Sequence, residues 1–341
     1  MTPYSTRLAT VDRTACERLA HVIRSQQIPN DREEIAFSGF NDRELGNLLL
    51  FVVSICHQTS SLGVRPLAGT IKGKLLRGWD YLLQQLVEAA TSDGALLRPR
   101  TWARLTGNDL RLLYRNSDGE DLLTDVESRA VLVNDLGRVM NSENWEYAHE
   151  IHAYCSGRVN SGSPNLISSL AKFRAYSDPV CKKSYFLLSL MENTGLWTYQ
   201  DPQNVGAPVD YHEVRGHLRI GTIRVNNLRL ERKLRNRVPV TKREDVALRK
   251  AVLDAIILLS DLTGLRRPSQ LHYLFWNVFR NYCTRDAPNC FGKRKENYLP
   301  VRYRHLTVQL AGHEACPFVE VCRSSSCTDK LLEHVFETDY Y

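Results

Sequence analysis

Hydrophobic residues recur along most of the chain at steps of three and four, which is the period of an amphipathic helix. This pattern predicts helices over residues 47–55, 75–89, 124–140, 143–153, 182–192, 243–262 and 269–282. Only residues 220–225 have the β-branched composition of a strand. Segments rich in proline, glycine and serine interrupt the pattern near residues 161–164, 201–208 and 264–268. The sequence therefore predicts a mainly α fold.

Composition narrows the class of protein. The 341 residues are 43% hydrophobic and 24% charged, which is typical of a globular chain. No apolar run is long enough to span a membrane, and the first twenty residues lack a secretory signal, so we expect an intracellular protein, cytoplasmic (nucleoid-associated) or nuclear. The formal net charge of +7 makes a polyanionic partner plausible.

Cysteine usage points to a metal centre. Of the nine cysteines, five fall in the last 59 positions: Cys283, Cys290, Cys316, Cys322 and Cys327. Disulfides are rare in intracellular proteins, so clustered thiols favour a metal. Structural zinc sites use cysteine pairs separated by two to four residues, and only the last pair fits that spacing. Gaps of six and five residues in the first two pairs favour iron–sulfur over zinc.

Basic residues form two stretches. Residues 215–243 contain ten lysines and arginines against a single acid, and Lys293, Arg294 and Lys295 follow one another further on. Such runs are often solvated faces. Because they flank the cysteines, they also indicate a surface that could follow a phosphate backbone.

The cysteine spacing resembles that of a known group of enzymes. Endonuclease III and MutY-like DNA glycosylases end in C-x6-C-x2-C-x5-C, and Cys283, Cys290, Cys316 and Cys322 reproduce the two outer gaps. The middle gap is 25 residues long here, as if a segment were inserted between two ligand pairs. The resemblance implies a [4Fe-4S] cluster on these four cysteines, with Cys327 as the spare ligand.

Three upstream segments are similar to the helix-hairpin-helix (HhH-GPD) glycosylase superfamily in the same order. Residues 208–215 resemble its P-V-D-x-H-x-x-R segment, which implies that Asp210 is catalytic. Residues 178–183 resemble the D-P-x-x-K motif of archaeal 8-oxoguanine glycosylases, which implies that Lys182 is a nucleophile. Residues 51–59 resemble a helix whose polar tip enters DNA, which makes His57 and Gln58 candidate DNA contacts. Lys183 and the 293–295 triplet are expected to contact DNA as well.

The chemistry explains why such residues would be needed. Cleavage of an N-glycosidic bond builds positive charge on the sugar, and a fixed carboxylate such as Asp210 stabilises it. The alternative role for Asp210 is to cap the following helix. A lysine is needed only if an amine attacks the sugar and forms a Schiff base. Lys182 and Lys183 diverge by about 100° on a helix, so only one can face a substrate.

The sequence thus predicts a two-lobed helix-hairpin-helix glycosylase-like fold with a C-terminal cluster loop. Residues 40–206 would form a central helical barrel with a degenerate hairpin, since the glycines of the usual hairpin are absent. Residues 1–39 and 207–341 would form the second lobe. The expected activity is excision of a modified or damaged base flipped out of duplex DNA by a monomer, with strand nicking if a lysine attacks. The alternatives are a non-catalytic nucleic-acid-binding relative, or a nucleosidase acting on a modified nucleoside or on RNA.

Overall fold

Helices dominate the structure, a computed structural model that describes residues 8–29, 39–60, 65–116, 118–265, 267–293, 299–328 and 330–341, and the mainly α prediction is confirmed. The helices are α1 Arg13–Arg24, α2 Asp42–Ser54, α3 Trp79–Ser92, α4 Pro99–Trp102, α5 Gly107–Leu113, α6 Val126–Ser142, α7 Ala148–Tyr154, α8 Leu166–Leu170, α9 Lys182–Asn193, α10 Tyr211–Ile220, α11 Leu228–Arg235, α12 Lys242–Thr263 and α13 Pro268–Asn281. The strands are β1 Ala9–Val11, β2 Ala68–Ile71, β3 Lys74–Arg77, β4 Ile223–Val225, β5 Val308–Leu310 and β6 His313–Ala315. No helix among the described residues is long and apolar enough to cross a membrane.

The chain divides into two compact units. Unit 1 consists of Met1–Asp31 and Gly206–Glu337, and unit 2 consists of Arg32–Val205 and Thr338–Tyr341. The segment 338–341, which the sequence placed with the cysteine-containing part, therefore packs with unit 2.

Helix α2 is the centre of unit 2. Its residues 48–53 are all apolar and fully buried, so this helix is covered by protein on every side. Asn41 caps its first turn, and the Asn41 N–H in turn donates to the Glu44 carboxylate at 3.2 Å. Helices α6 and α9 pack against α2 and form much of the remaining core.

One predicted helix of unit 2 begins later than the sequence indicated. Residues 74–77 form β3, which pairs with β2 in an antiparallel hairpin, and α3 begins only at Trp79. Lys72 and Gly73 make the turn, and both have positive φ. A two-residue turn of this kind matches the twist of paired strands and overrides the helical spacing of the leucines.

Unit 1 is built on α12 and α13, with α1 and α10 packed against them. The predicted strand at 220–225 is shorter than expected, because Ile220 still belongs to α10 and Gly221, with φ +94°, ends that helix. Strand β4 then starts at Ile223 and pairs antiparallel with β1.

Candidate functional site

The four cysteines of the predicted cluster surround one cavity in unit 1. Cys283, Cys290, Cys316 and Cys322 line it together with the apolar side chains Ile220, Phe279, Tyr282, Phe318 and Val319. The cavity is small: about 20 Å³ of it can hold the centre of a water-sized molecule. Cys327 does not line this cavity; it is exposed, and its Sγ lies 3.6 Å from the Arg323 carbonyl oxygen. The structure therefore groups the four cysteines that the spacing selected and leaves the spare one outside.

The 25-residue insertion returns the chain to the cavity through a hairpin. Strands β5 and β6 pair antiparallel, and Cys316 follows β6 directly. The N–H of Cys316 donates to the carbonyl oxygen of Cys290 at 3.1 Å, which joins the two cysteine pairs. Gly292 allows this approach, because a Cβ there would lie 2.2 Å from the Glu314 carbonyl oxygen.

The thiols lie in a protected and mutually coupled environment. Burial, and then the charges of neighbouring cysteines, raise the pKa of Cys316 well above its ordinary value and raise that of Cys322 to about 11. Arg219 from α10 compensates the negative charge of a thiolate here, since its guanidinium donates to the Cys283 Sγ at 3.3 Å. The same guanidinium donates to the carbonyl oxygens of Thr284 and Arg285, each at 2.8 Å, and so fixes the backbone after Cys283.

The separations of the sulfur atoms bear on which metal group fits. Within the described chain, no three of these sulfur atoms lie within 4.8 Å of one another. A single zinc ion with bonds of about 2.3 Å would draw four thiolates to roughly 3.8 Å from each other. A cluster of several irons and sulfides holds its thiolates further apart. Four cysteines are the donor set that an iron–sulfur cluster takes, and a structural zinc ion accepts the same four ligands.

Helix α10 links the candidate carboxylate to the cysteine cavity. Asp210 caps its N-terminus: Oδ1 accepts from the N–H groups of His212 at 2.7 Å and Glu213 at 3.3 Å. From the same helix, Arg215 donates to the Cys283 carbonyl oxygen at 2.7 Å. The capping role of Asp210 is thus observed, and its half-buried position keeps the carboxylate in a fixed orientation.

Two residues of the first basic stretch are not part of a surface. Arg215 and Arg219 are each 1% exposed and hold the backbone around Cys283, so their inclusion in a phosphate-following surface was wrong. Arginines 229, 232, 235 and 237 are exposed. Lys293 is exposed too, whereas Arg294 and Lys295 lie outside the described residues.

The two candidate lysines begin α9 in unit 2, and both are buried. Lys182 is 8% exposed; its Nζ lies 3.7 Å from the Cys56 Sγ and 5.2 Å from the centre of the Phe186 ring. Lys183 is fully buried, and its Nζ donates to the carbonyl oxygens of Ser54 and Asp339. In this arrangement the amine of Lys183 is enclosed by protein, so it can contact DNA only if the residues that cover it move.

The electrostatics of Lys183 differ from those of an ordinary lysine. Burial lowers the pKa of its amine to about 7, and the positive charges of Lys182 and Arg129 act in the same direction. An amine with this pKa is partly unprotonated at neutral pH, which is the state that attacks a carbonyl or sugar carbon. The sequence motif had selected Lys182, so the structure adds its neighbour as a second candidate nucleophile.

The predicted polar tip after α2 is covered. His57 is 1% exposed, and Gln58 is half-buried, with its Nε2 donating to the Thr338 carbonyl oxygen at 3.1 Å. Burial, then the charges of Lys183 and Arg129, hold the pKa of His57 well below its usual range and keep the ring neutral. The prediction that His57 reaches DNA therefore does not fit this arrangement.

His57 also lies beside two carboxylates. One of its ring nitrogens and one oxygen each of Asp125 and Asp339 lie within 4.8 Å of one another. The buried guanidinium of Arg129 and the amine of Lys183 are close by. Burial lowers the pKa of Arg129 to about 10, and the carboxylates of Asp125 and Asp339 act against this shift. The two positive charges favour counter-charge roles for Asp125 and Asp339 over a cation site.

The turn that precedes α9 contains a carboxylate that binds its backbone N–H groups. The Asp178 carboxylate accepts from the N–H groups of Val180 at 3.2 Å and Lys182 at 2.9 Å. Backbone N–H groups at a helix N-terminus are the usual donors to a bound phosphate. Here a side chain of the protein takes that position.

Comparison with known proteins does not assign the chain to a family. No protein-family model matches the chain, and no curated protein is significantly similar to it.

Proposed function

We propose that this protein is an iron–sulfur DNA glycosylase that removes a modified or damaged base. The observation that carries the proposal is the convergence of Cys283, Cys290, Cys316 and Cys322 on one cavity across a 25-residue insertion. These four thiolates would hold the [4Fe-4S] cluster, which would fix the surrounding loops. The resemblance that predicted this set also names Asp210, which lies on the helix that contacts Cys283.

Asp210 supplies the electrostatic part of the reaction. Its carboxylate is held by two backbone N–H groups, so it is pre-oriented, and a fixed negative charge near the sugar stabilises the cationic transition state. The amine of Lys182 or Lys183 supplies the nucleophile if the enzyme forms a covalent intermediate.

Borohydride trapping on duplex DNA with candidate modified bases tests the lysines. If Lys182 is the nucleophile, as the motif indicates, Lys182→Gln is expected to abolish the trapped complex. If the partly unprotonated amine of Lys183 is the nucleophile, Lys183→Gln is expected to abolish it. In the second case trapping should rise as the pH passes about 7, because the free-amine fraction of Lys183 increases there. Base release without trapping in wild type would make the enzyme monofunctional.

The basic triplet 293–295 is expected to contribute phosphate contacts. Replacing Lys293, Arg294 and Lys295 together by glutamine should reduce the slope of log affinity against log salt by up to about three units, since each phosphate contact releases roughly one counterion. Titrations of labelled duplex at four salt concentrations measure the slope. An unchanged slope would show that these side chains do not contact phosphate.

A nucleosidase is the second candidate, and one observation favours it. The Asp178 carboxylate occupies the N–H groups of the turn that precedes α9, so a backbone phosphate would meet a negative charge there. A single nucleoside carries no phosphodiester and avoids this repulsion. Release of free base from modified nucleosides, but not from duplex DNA, would support this function.

A further inference from the structure

The segment 338–341 satisfies a set of hydrogen-bond donors on unit 2. The Asp339 carboxylate accepts from Ser128 Oγ at 3.0 Å and pairs with Arg174 at 3.4 Å, and the Asp339 carbonyl oxygen accepts from Lys183 Nζ at 2.6 Å. Gln58 donates twice, from its N–H to the Tyr341 carbonyl oxygen and from Nε2 to the Thr338 carbonyl oxygen, both at 3.1 Å. We call Gln58, Ser128, Arg174 and Lys183 the donor surface.

The chemistry of the donor surface indicates what else could bind there. Its donors are a backbone N–H, an amide, a hydroxyl, a guanidinium and an amine. The segment 338–341 supplies the accepting oxygen atoms and one negative charge. A phosphodiester backbone presents the same complement, namely closely spaced oxygens with one negative charge per unit, and proteins bind it with these same groups. Arg174 keeps 57% of its side chain exposed and can therefore meet a ligand before the segment leaves.

We propose that the donor surface binds the phosphodiester backbone of a nucleic-acid strand, and that the segment 338–341 occupies it in the free protein. The proposal rests on the nucleic-acid function proposed above and adds a regulation to it, because displacement of Asp339 uncovers the Lys183 amine. The contact that must open first is the exposed Asp339–Arg174 pair, and exposed ion pairs are weak. Tyr341 is only 5% exposed and can keep the segment attached while Asp339 exchanges.

Removing each partner of the Asp339–Arg174 ion pair in turn shows whether the segment 338–341 competes with nucleic acid or only stabilises the fold. In the full chain, Asp339→Ala should bind a labelled 20-nucleotide duplex or single strand at least about fivefold more tightly, because one ion pair and one hydrogen bond no longer compete. Arg174→Ala breaks the same pair but should weaken binding, because it removes a donor from the surface. Glu337→Ala and Arg138→Ala are the matched controls, since they change the same charges at exposed positions. Fluorescence anisotropy at one salt concentration measures all five proteins.

Acetylation of surface amines gives a second readout that needs no nucleic acid. Mass spectrometry should find Lys183 modified faster in Asp339→Ala than in wild type. Equal rates would overturn the covering role of the segment. Affinities of Asp339→Ala and Arg174→Ala equal to those of their controls, with wild-type binding intact, would overturn the inference alone. Absence of binding by every variant and by wild type would overturn the proposed function as well.

Discussion

An Asp210→Asn variant is expected to lose base release by about a hundred- to ten-thousandfold while keeping its fold, since general acid–base and charge-stabilising groups contribute on this scale. The substitution removes the negative charge but leaves an oxygen at the position of Oδ1, which accepts from His212 and Glu213. Asparagine caps helices as well as aspartate does, so the first turn of α10 should stay intact. Single-turnover assays measure the rate, and thermal unfolding measures the fold.

The comparison with Asp210→Ala separates capping from catalysis. Alanine removes both the charge and the cap, and should additionally destabilise the protein by about 1 kcal/mol. Substrate affinity should survive in Asp210→Asn, because the loss of a carboxylate near phosphates removes repulsion. Near-normal activity of Asp210→Asn on a verified substrate would leave Asp210 as a helix cap only.

Replacement of one cavity cysteine is expected to abolish the cluster. Anaerobically purified wild type should be brown and contain about four irons and four sulfides per chain, and Cys290→Ser should contain almost none. Cys290 lines the cavity and its carbonyl oxygen accepts from the Cys316 N–H, so it belongs to both the ligand set and the junction between the pairs. Iron and sulfide analysis with visible absorption measures the loss.

Cys327→Ser is the matched control for this experiment. Its Sγ is exposed and lies outside the cavity lining, so the iron content should not change. Stoichiometric zinc without sulfide in the wild-type protein would refute the cluster. Loss of iron in Cys327→Ser would show that a different set of cysteines forms the site.

The sequence predicted features that depend on local pattern. Helices α6, α9 and α12 were predicted to within two residues at each end, because their apolar spacing is regular and long. The four cavity cysteines were selected because their gaps of six and five residues resemble the outer gaps of the glycosylase signature. Local pattern failed at residues 74–77, where the positive φ values of Lys72 and Gly73 select a hairpin.

The sequence could not predict which polar residues are buried. Lys183 lies in the first turn of α9, and His57 follows the end of α2. Polar residues at helix ends are usually exposed, but both of these are enclosed in the structure. One of the two carbonyl oxygens that accept from Lys183 belongs to Asp339, 156 positions further along the chain. The contact of Arg219 with Cys283 spans 64 positions.

The division of the chain into two interleaved units has a consequence for biosynthesis. Strand β1 pairs with β4, more than two hundred positions later, so unit 1 cannot close until β4 has been translated. The continuous stretch of unit 2 can condense before that. Residues 338–341 are translated after all other residues of unit 2, and until they dock the Lys183 amine has only part of its enclosure. Burial is the main cause of the lowered pKa of this amine. In the nascent chain the amine therefore stays closer to an ordinary, protonated lysine, and it acquires its low pKa only when the enclosure is complete.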